Sequence, residues 1–286
     1  HGSYDPFVVS AKPPLDKAGK AEKPTPYVEP NLVPGDIYVV PYNNIPALEK
    51  MFKKNAKKLA CFIVEPVLEN LAIVLPDAGY LERVRELCDQ YNVVLIFDEV
   101  KTGLTAGAHG AAMRLGVKPD LITLAKSIGG GLPLAAFGGK KKYMDFVTNG
   151  KMAHFGTFNG NPLAMAGVRA IDRICSDEAL ATAEDFNLQA LIRIGDIIDE
   201  YELPAHTVGF GVKGCVTWST KPVRNYRDYK ATDFGVAEAH WLFAINRGII
   251  TPPGLDEQWL ISLAHGQTEI DILVEDFRDF AQAIRS

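Results

Sequence analysis

Two apolar runs in this 286-residue chain end in groups that can do chemistry. Val94-Leu95-Ile96-Phe97 reads as a buried strand and ends in Asp98; Asp120-Leu121-Ile122-Thr123-Leu124-Ala125 ends in Lys126. Strand ends of an α/β sheet are where a rigid scaffold presents functional groups. A carboxylate and an amine placed there suit the retention of pyridoxal phosphate. The amine can form a Schiff base with the aldehyde, and the carboxylate can keep the pyridine nitrogen protonated so that the ring withdraws electrons. An Asp at a strand end is often a helix cap, and a lone Lys is usually solvated. Here both close apolar runs, and Lys126 leads into Gly129-Gly130-Gly131 rather than along a charged helix face.

The elements that must position these residues follow from periodicity. Gly35 to Tyr42 reads as a short strand, Ile45 to Lys57 as an amphipathic helix with Leu48, Met51 and Phe52 on one side, and Leu59 to Val64 as a strand ending at Glu65-Pro66. Asp77 to Tyr91 reads as a helix capped by Asp77, with Leu81, Val84, Leu87 and Cys88 as its apolar stripe. Strand, helix and strand with continuous apolar strands imply parallel βαβ units covered on both faces. Further helices are predicted over 107–115, 164–176, 178–201, 234–247 and 269–284. Further strands are predicted over 121–124, 135–139, within 208–220 and over 259–263. Residues 1–36, rich in Pro and Lys, read as a long loop. The pattern changes within 176–205, which divides the chain into a large domain (1–180) and a smaller α+β domain (181–286).

Composition narrows the class. Hydrophobic residues make up 47% and charged residues 23%, usual for a soluble globular protein, and the net charge of −5 gives no case for nucleic acid or an anionic membrane. No apolar stretch is long enough to span a bilayer and no signal peptide is recognisable, so a cytoplasmic location is expected. Cys61, Cys88, Cys175 and Cys215 are scattered and read as buried reduced thiols. Six histidines without metal-type spacing give no case for a catalytic metal; His109 and His154 read as loop residues making structural hydrogen bonds. Gly129-Gly130-Gly131 is not a nucleotide loop, because no Gly-Lys-Ser/Thr follows it. Gly209-Phe210-Gly211 marks turns, Lys140-Lys141-Lys142 a solvated loop, and Glu65 a hydrogen-bonding residue at a strand end.

Several linked motifs carry a family resemblance. Glu65-Pro66-Val67, Phe97-Asp98-Glu99-Val100-Lys101-Thr102-Gly103, Pro119 to Lys126, Gly129 to Pro133 and Gly156-Thr157-Phe158-Asn159-Gly160-Asn161-Pro162 stand in family order. Together they resemble the class III pyridoxal-phosphate aminotransferases of fold type I, near the subgroup of glutamate-1-semialdehyde aminomutase and β-amino-acid aminotransferases. The resemblance implies an α/β fold, a mostly parallel central sheet flanked by helices plus the smaller C-terminal α+β domain. It implies pyridoxal 5'-phosphate as cofactor, with Lys126 as Schiff-base lysine and proton carrier and Asp98 as partner of the ring nitrogen. It also implies Val100 packed on one ring face and Thr157 reaching the phosphate held by the neighbouring subunit, hence a homodimer with shared active sites. His1-Gly2 is similar to the end of an aromatic-His-Gly turn. The ring-covering aromatic and the phosphate-binding Ser/Gly/Thr loop would then lie before residue 1, and the chain, which has no initiator Met, reads as a piece of a longer protein.

Departures from the family pattern bear on the reaction. Lys101 stands where many relatives have Gln; it either holds the cofactor's phenolic oxygen by charge or points to solvent. As a rival Schiff-base residue it is set aside, since a neighbour of the ring-nitrogen partner should lie near the wrong ring edge. Asn70 matches the aminomutase form of the Glu-Pro loop, and Glu257 falls where that subgroup carries a pocket glutamate. The 260–265 segment lacks the arginine that binds an α-carboxylate in many relatives, and 104–110 is closer to the β-amino-acid enzymes. The expected function is transfer of an amino group from an amino acid or amine to a keto acid or aldehyde. The alternatives are glutamate-1-semialdehyde 2,1-aminomutase and a cofactor-binding module or fragment without catalysis.

Overall fold

The computed structural model describes residues 9–20, 25, 37–253 and 259–285. A four-stranded sheet runs in the order β1 (Cys61–Val64), β2 (Val94–Asp98), β3 (Leu121–Leu124) and β4 (Ala136–Gly139). The first three strands are parallel and β4 is antiparallel to β3. Two helices enter this layer from the predicted segments, α1 (Ile45–Asn55) and α2 (Tyr80–Tyr91). Leu48, Phe52, Tyr80, Val84, Leu95 and Phe97 meet in the core they form, each such side chain contributing about 1.5–3 kcal/mol on burial. Short α3 (Gly110–Arg114) follows β2; α4 (Lys141–Thr148) and α5 (Pro162–Ile174) follow β4.

The 24-residue α6 (Asp177–Glu200) starts at Ser176, whose hydroxyl accepts the Ala179 N–H. It packs on a second, antiparallel sheet of β5 (His206–Phe210), β6 (Lys213–Thr217) and β7 (Trp259–Leu260) and on α9 (Gln267–Arg285). Two further helices, α7 (Tyr226–Lys230) and α8 (Phe234–Asn246), lie between β6 and β7 in the chain. Ile194, Ile197, Ile270 and Phe277 are buried where α6 and α9 meet.

Several expectations are corrected. Residues 37–42 form no strand; Tyr42 instead packs edge-on to Tyr80 and donates its hydroxyl to the Pro66 carbonyl (2.7 Å). Asp77 does not cap α2, which begins after Gly79 in the left-handed conformation; Asp77 pairs with Arg224 at 2.5 Å. Lys141 and Lys142 are not in a loop but open α4, with Lys140 just before it, and α7 has no counterpart among the predicted helices. Cys61 is exposed and Cys175 half-buried, while Cys88 and Cys215 are buried as expected. The strand predicted over 259–263 shortens to Trp259–Leu260, with Ile261 donating instead to the Val212 carbonyl.

At the opening of β3, buried Asp120 ties four elements together. Its carboxylate accepts the Leu95 N–H of β2 (2.8 Å), Arg85 of α2 (3.0 Å) and the Lys140 ammonium beyond β4 (2.6 Å). Burial opposes the charge, but Lys140, the Leu95 N–H and Arg85 outweigh it and hold the carboxyl below its ordinary range. Its stabilisation is therefore complete above pH ~4 and is lost as pH falls through the depressed value. Asp120→Asn is expected to cost about 2 kcal/mol in urea unfolding at neutral pH, with the penalty shrinking toward pH ~3. A penalty that does not change with pH would contradict this account.

Candidate active site

Parallel pairing sets Ile96, Phe97 and Asp98 of β2 opposite Leu121, Ile122 and Thr123 of β3. Both strands therefore finish at one edge of the sheet, about 4.8 Å apart. Asp98 is the last residue of β2, and Lys126 stands two residues past the end of β3. Asp98 is buried, and its Oδ1 accepts the Val100 N–H (3.1 Å) and the Thr123 hydroxyl (3.3 Å). The first is the local turn that Asp residues favour.

Lys126 opens a single 3-10 turn, Lys126–Gly129, with φ of +54°. A non-glycine residue held in the left-handed region costs of order 1 kcal/mol or more and persists where its surroundings impose it. Close approach of α5 supplies part of that constraint. A Cβ on Gly167 of α5 would lie 2.7 Å from the Gly129 carbonyl oxygen, so the backbones meet without an intervening side chain. Asn161 fixes the start of α5 by accepting the Ala164 N–H, with Pro162 at the first helical position.

Glu99 anchors the turn after β2. Its buried carboxylate accepts the N–H groups of Ala111 (2.6 Å) and Ala112 (3.0 Å) in α3 and the Thr102 hydroxyl (3.3 Å). Burial pushes the Glu99 pKa up, against the opposing pull of those donors. At the end of β1, Glu65 accepts Asn70 Nδ2 (3.3 and 3.4 Å) and the Glu69 N–H (3.5 Å). Burial raises its pKa and the nearby Asp98 charge raises it further, while Glu69, Asn70 and Lys101 pull the other way. Glu65 and Asp98 are thus electrostatic neighbours, in keeping with Glu65 as a strand-end hydrogen-bonding residue.

Lys101 does not point to solvent. It is half-buried, and its ammonium donates to the Glu69 carbonyl (3.0 Å). Val100 is half-buried in the same turn, and Asn70 is exposed beside Glu65. Thr157 stands on an exposed turn ahead of α5, and Glu257 lies outside the described residues. His109 is exposed and sits 3.5 Å from Asp177; His154 meets the Phe137 ring edge-on. Sequence reasoning missed Thr123 as partner of Asp98, Glu99 as the clamp on α3, and the buried Glu69–Lys213 ion pair. Only Lys213 left a trace, as a lone cation in Gly211-Val212-Lys213-Gly214-Cys215-Val216.

The donor set fits a pyridine aldehyde cofactor: an amine imposed by the backbone at one strand end, a buried carboxylate on the neighbouring strand, and both on the carboxyl edge of a parallel sheet. This fold is that of the fold type I pyridoxal-phosphate enzymes. The chain belongs to the aminotransferase class-III family, whose pattern it matches over residues 16–212. It is 38% identical over 245 residues to glutamate-1-semialdehyde 2,1-aminomutase of Thermomicrobium roseum, covering 85% of this chain and 57% of that protein. It superposes on an omega-transaminase from Sphaerobacter thermophilus with a TM-score of 0.89 and 29% identity, covering 100% of this chain and 67% of that one. A β-phenylalanine aminotransferase from Variovorax paradoxus gives a TM-score of 0.83 and 28% identity, over 91% of this chain and 60% of that one. The chain thus spans about three-fifths of the length of these relatives.

Gly110 tests the anchoring of the turn. It sits at φ +70°, and a Cβ there would lie 2.5 Å from Glu99 Oε2 and 3.2 Å from the Gly103 carbonyl oxygen. Gly110→Ala is expected to cost about 2 kcal/mol or more in denaturant unfolding, from strain and from displacement of the buried carboxylate. An unchanged unfolding midpoint would show that the turn does not depend on this close approach.

Proposed function

We propose that this chain is the cofactor-holding part of a pyridoxal-phosphate-dependent aminotransferase that moves an amino group from an amino acid or amine to a keto acid or aldehyde. The observation that carries the reading is the parallel register that pairs Asp98 with Thr123 and leads β3 directly into the backbone-constrained Lys126. When bound, the cofactor supplies an aldehyde that takes up amines and a ring that withdraws electrons from the amine-bearing carbon. Lys126 would hold it through its ε-nitrogen and would move the proton at the substrate carbon. Asp98, held by the Val100 N–H and the Thr123 hydroxyl, would partner the ring nitrogen and keep it protonated. Val100 would offer an aliphatic surface to the ring, and Lys101, whose ammonium donates to the Glu69 carbonyl, would add positive charge on the side of its phenolic oxygen. Asn70 and Glu257 are assigned to the substrate pocket.

A second reading is a 2,1-aminomutase acting on glutamate-1-semialdehyde, the activity named for the Thermomicrobium roseum relative. The Asn70–Glu65 contact at the Glu-Pro loop favours keeping it. Glutamate-1-semialdehyde supplied alone discriminates: turnover without a second substrate selects the aminomutase, and a requirement for a separate carbonyl acceptor selects the transaminase.

Assembly as a homodimer, with Thr157 reaching the cofactor phosphate of the partner subunit, belongs to the same proposal. It is supported by the apolar residues around Thr157: Phe155 and Phe158 are 87% and 81% exposed, and Leu163 is exposed beside them. A cytoplasmic location is supported by four cysteines that are all free thiols; none of the described helices is long and apolar enough to cross a membrane. A division near residue 180 into a large and a small domain belongs to the same proposal, supported by the packing of α6 on β5, β6 and α9.

Lys126→Ala is expected to remove the visible absorption band of the bound cofactor and to lower turnover by more than ~10³-fold. Asp98→Asn should keep the band and lower kcat on the order of 10²-fold. A Lys126→Ala protein with the band and full turnover would refute the assignment. Replacing both Phe155 and Phe158 by Asp is expected to convert dimer to monomer in sedimentation velocity; an unchanged mass would place the subunit contact elsewhere.

A further inference from the structure

We propose that Lys213, on β6 of the second sheet, is a positioning residue for the turn that follows Asp98. The inference rests on the cofactor reading above. Glu69 is 0% and Lys213 2% exposed, and the Lys213 ammonium lies 2.5 Å from Glu69 Oε2. The same ammonium donates to the Lys101 carbonyl (3.0 Å), and the Lys101 ammonium donates to the Glu69 carbonyl (3.0 Å). Three residues from three segments, the Glu-Pro loop, the Asp98 turn and β6, therefore close a ring of polar contacts. The Thr105 hydroxyl shares the Lys101 carbonyl at 2.6 Å.

The hairpin that delivers Lys213 is seated against the same turn. The Val212 N–H donates to the Thr105 carbonyl (2.9 Å). Gly211, at φ +60°, lies so close that a Cβ would fall 1.9 Å from that carbonyl oxygen. Asn187 of α6 donates to the carbonyls of both Gly211 (2.8 Å) and Lys213 (2.9 Å), and accepts the Trp259 indole N–H (2.7 Å). The ammonium of Lys213 is thus aimed from a hairpin with little freedom to shift.

The energetics favour position over stability as its contribution. Removing an ammonium and a carboxylate from water is costly, and their attraction roughly offsets that cost. Apolar residues of the same volume would stabilise such a site as well. What they could not do is hold the Lys101 carbonyl at one point. That carbonyl lies three residues beyond Asp98 in the same turn, whose Lys101 ammonium reaches the Glu69 carbonyl, so its displacement would carry to the Asp98 carboxylate and the Lys101 charge.

The test compares wild-type holoprotein with Lys213→Met combined with Glu69→Gln, which removes both charges and strands neither. Thermal midpoint and the pH midpoint of the visible cofactor band are recorded for each. A double variant with near wild-type thermal midpoint and a band midpoint moved by ~0.5 unit or more supports the proposal; a wild-type band midpoint overturns it. If the double variant does not fold, Lys213→Arg decides. Its broader planar head cannot make both contacts from the same point, so a folded Arg variant with an unmoved band midpoint overturns the proposal and a moved one supports it. Absence of any cofactor band in the wild-type protein refutes the cofactor reading itself, and this inference with it.

Discussion

The hydrogen-bond register between β2 and β3 is the constraint on which the rest of the site depends. Parallel strands must end at the same edge of the sheet, and this pairing sets Asp98 against Thr123 with Lys126 just beyond. A slip of one residue would turn Asp98 to the opposite face of the sheet. The register is in turn fixed at the other end of the strands, where the Asp120 carboxylate binds the Leu95 N–H and the Lys140 ammonium. One end of the sheet spends its charges on alignment; the other presents charges for chemistry.

The turn after β2 shows how a loop can be made rigid without a large core of its own. Its residues point alternately to different anchors: Asp98 to Thr123, Glu99 to the first amides of α3, and Lys101 to the Glu69 carbonyl. Only Asp98 among them lies on the strand itself. Acidic groups next to helix amides are favoured by the exposed donors there, and that explains why Glu99, rather than a neutral residue, ties α3 to the site.

Much of this was legible in the sequence, and for a definite reason. Asp98 and Lys126 each close an apolar run, and local patterning marks strand ends well. The helices α1, α2, α5, α6 and α9 are likewise legible, because their apolar residues recur at helical spacing, and α8 is legible as a mostly apolar run. What was not legible depends on distant pairing. Asp77 looks like a cap, but Arg224 claims its carboxylate through tertiary contact. Lys140 looks like a solvated loop residue until β4 brings it to Asp120. Glu69 and Lys213 are separated by 144 residues, and no periodicity links two charges that meet only when the second sheet docks.

The exposed apolar surface bears on how the site is completed. Helix α5 buries only Ala164, and none of the α4 residues is fully buried, although both helices carry apolar faces. Phe155 and Phe158 flank Thr157 in the segment between them, and aromatic rings exposed to this degree are costly in water and typical of association surfaces. Under the proposed dimer, the residue meant for the partner's cofactor phosphate sits within the patch that assembly would cover. Association and completion of the cofactor site would then be one requirement, met by the same few residues.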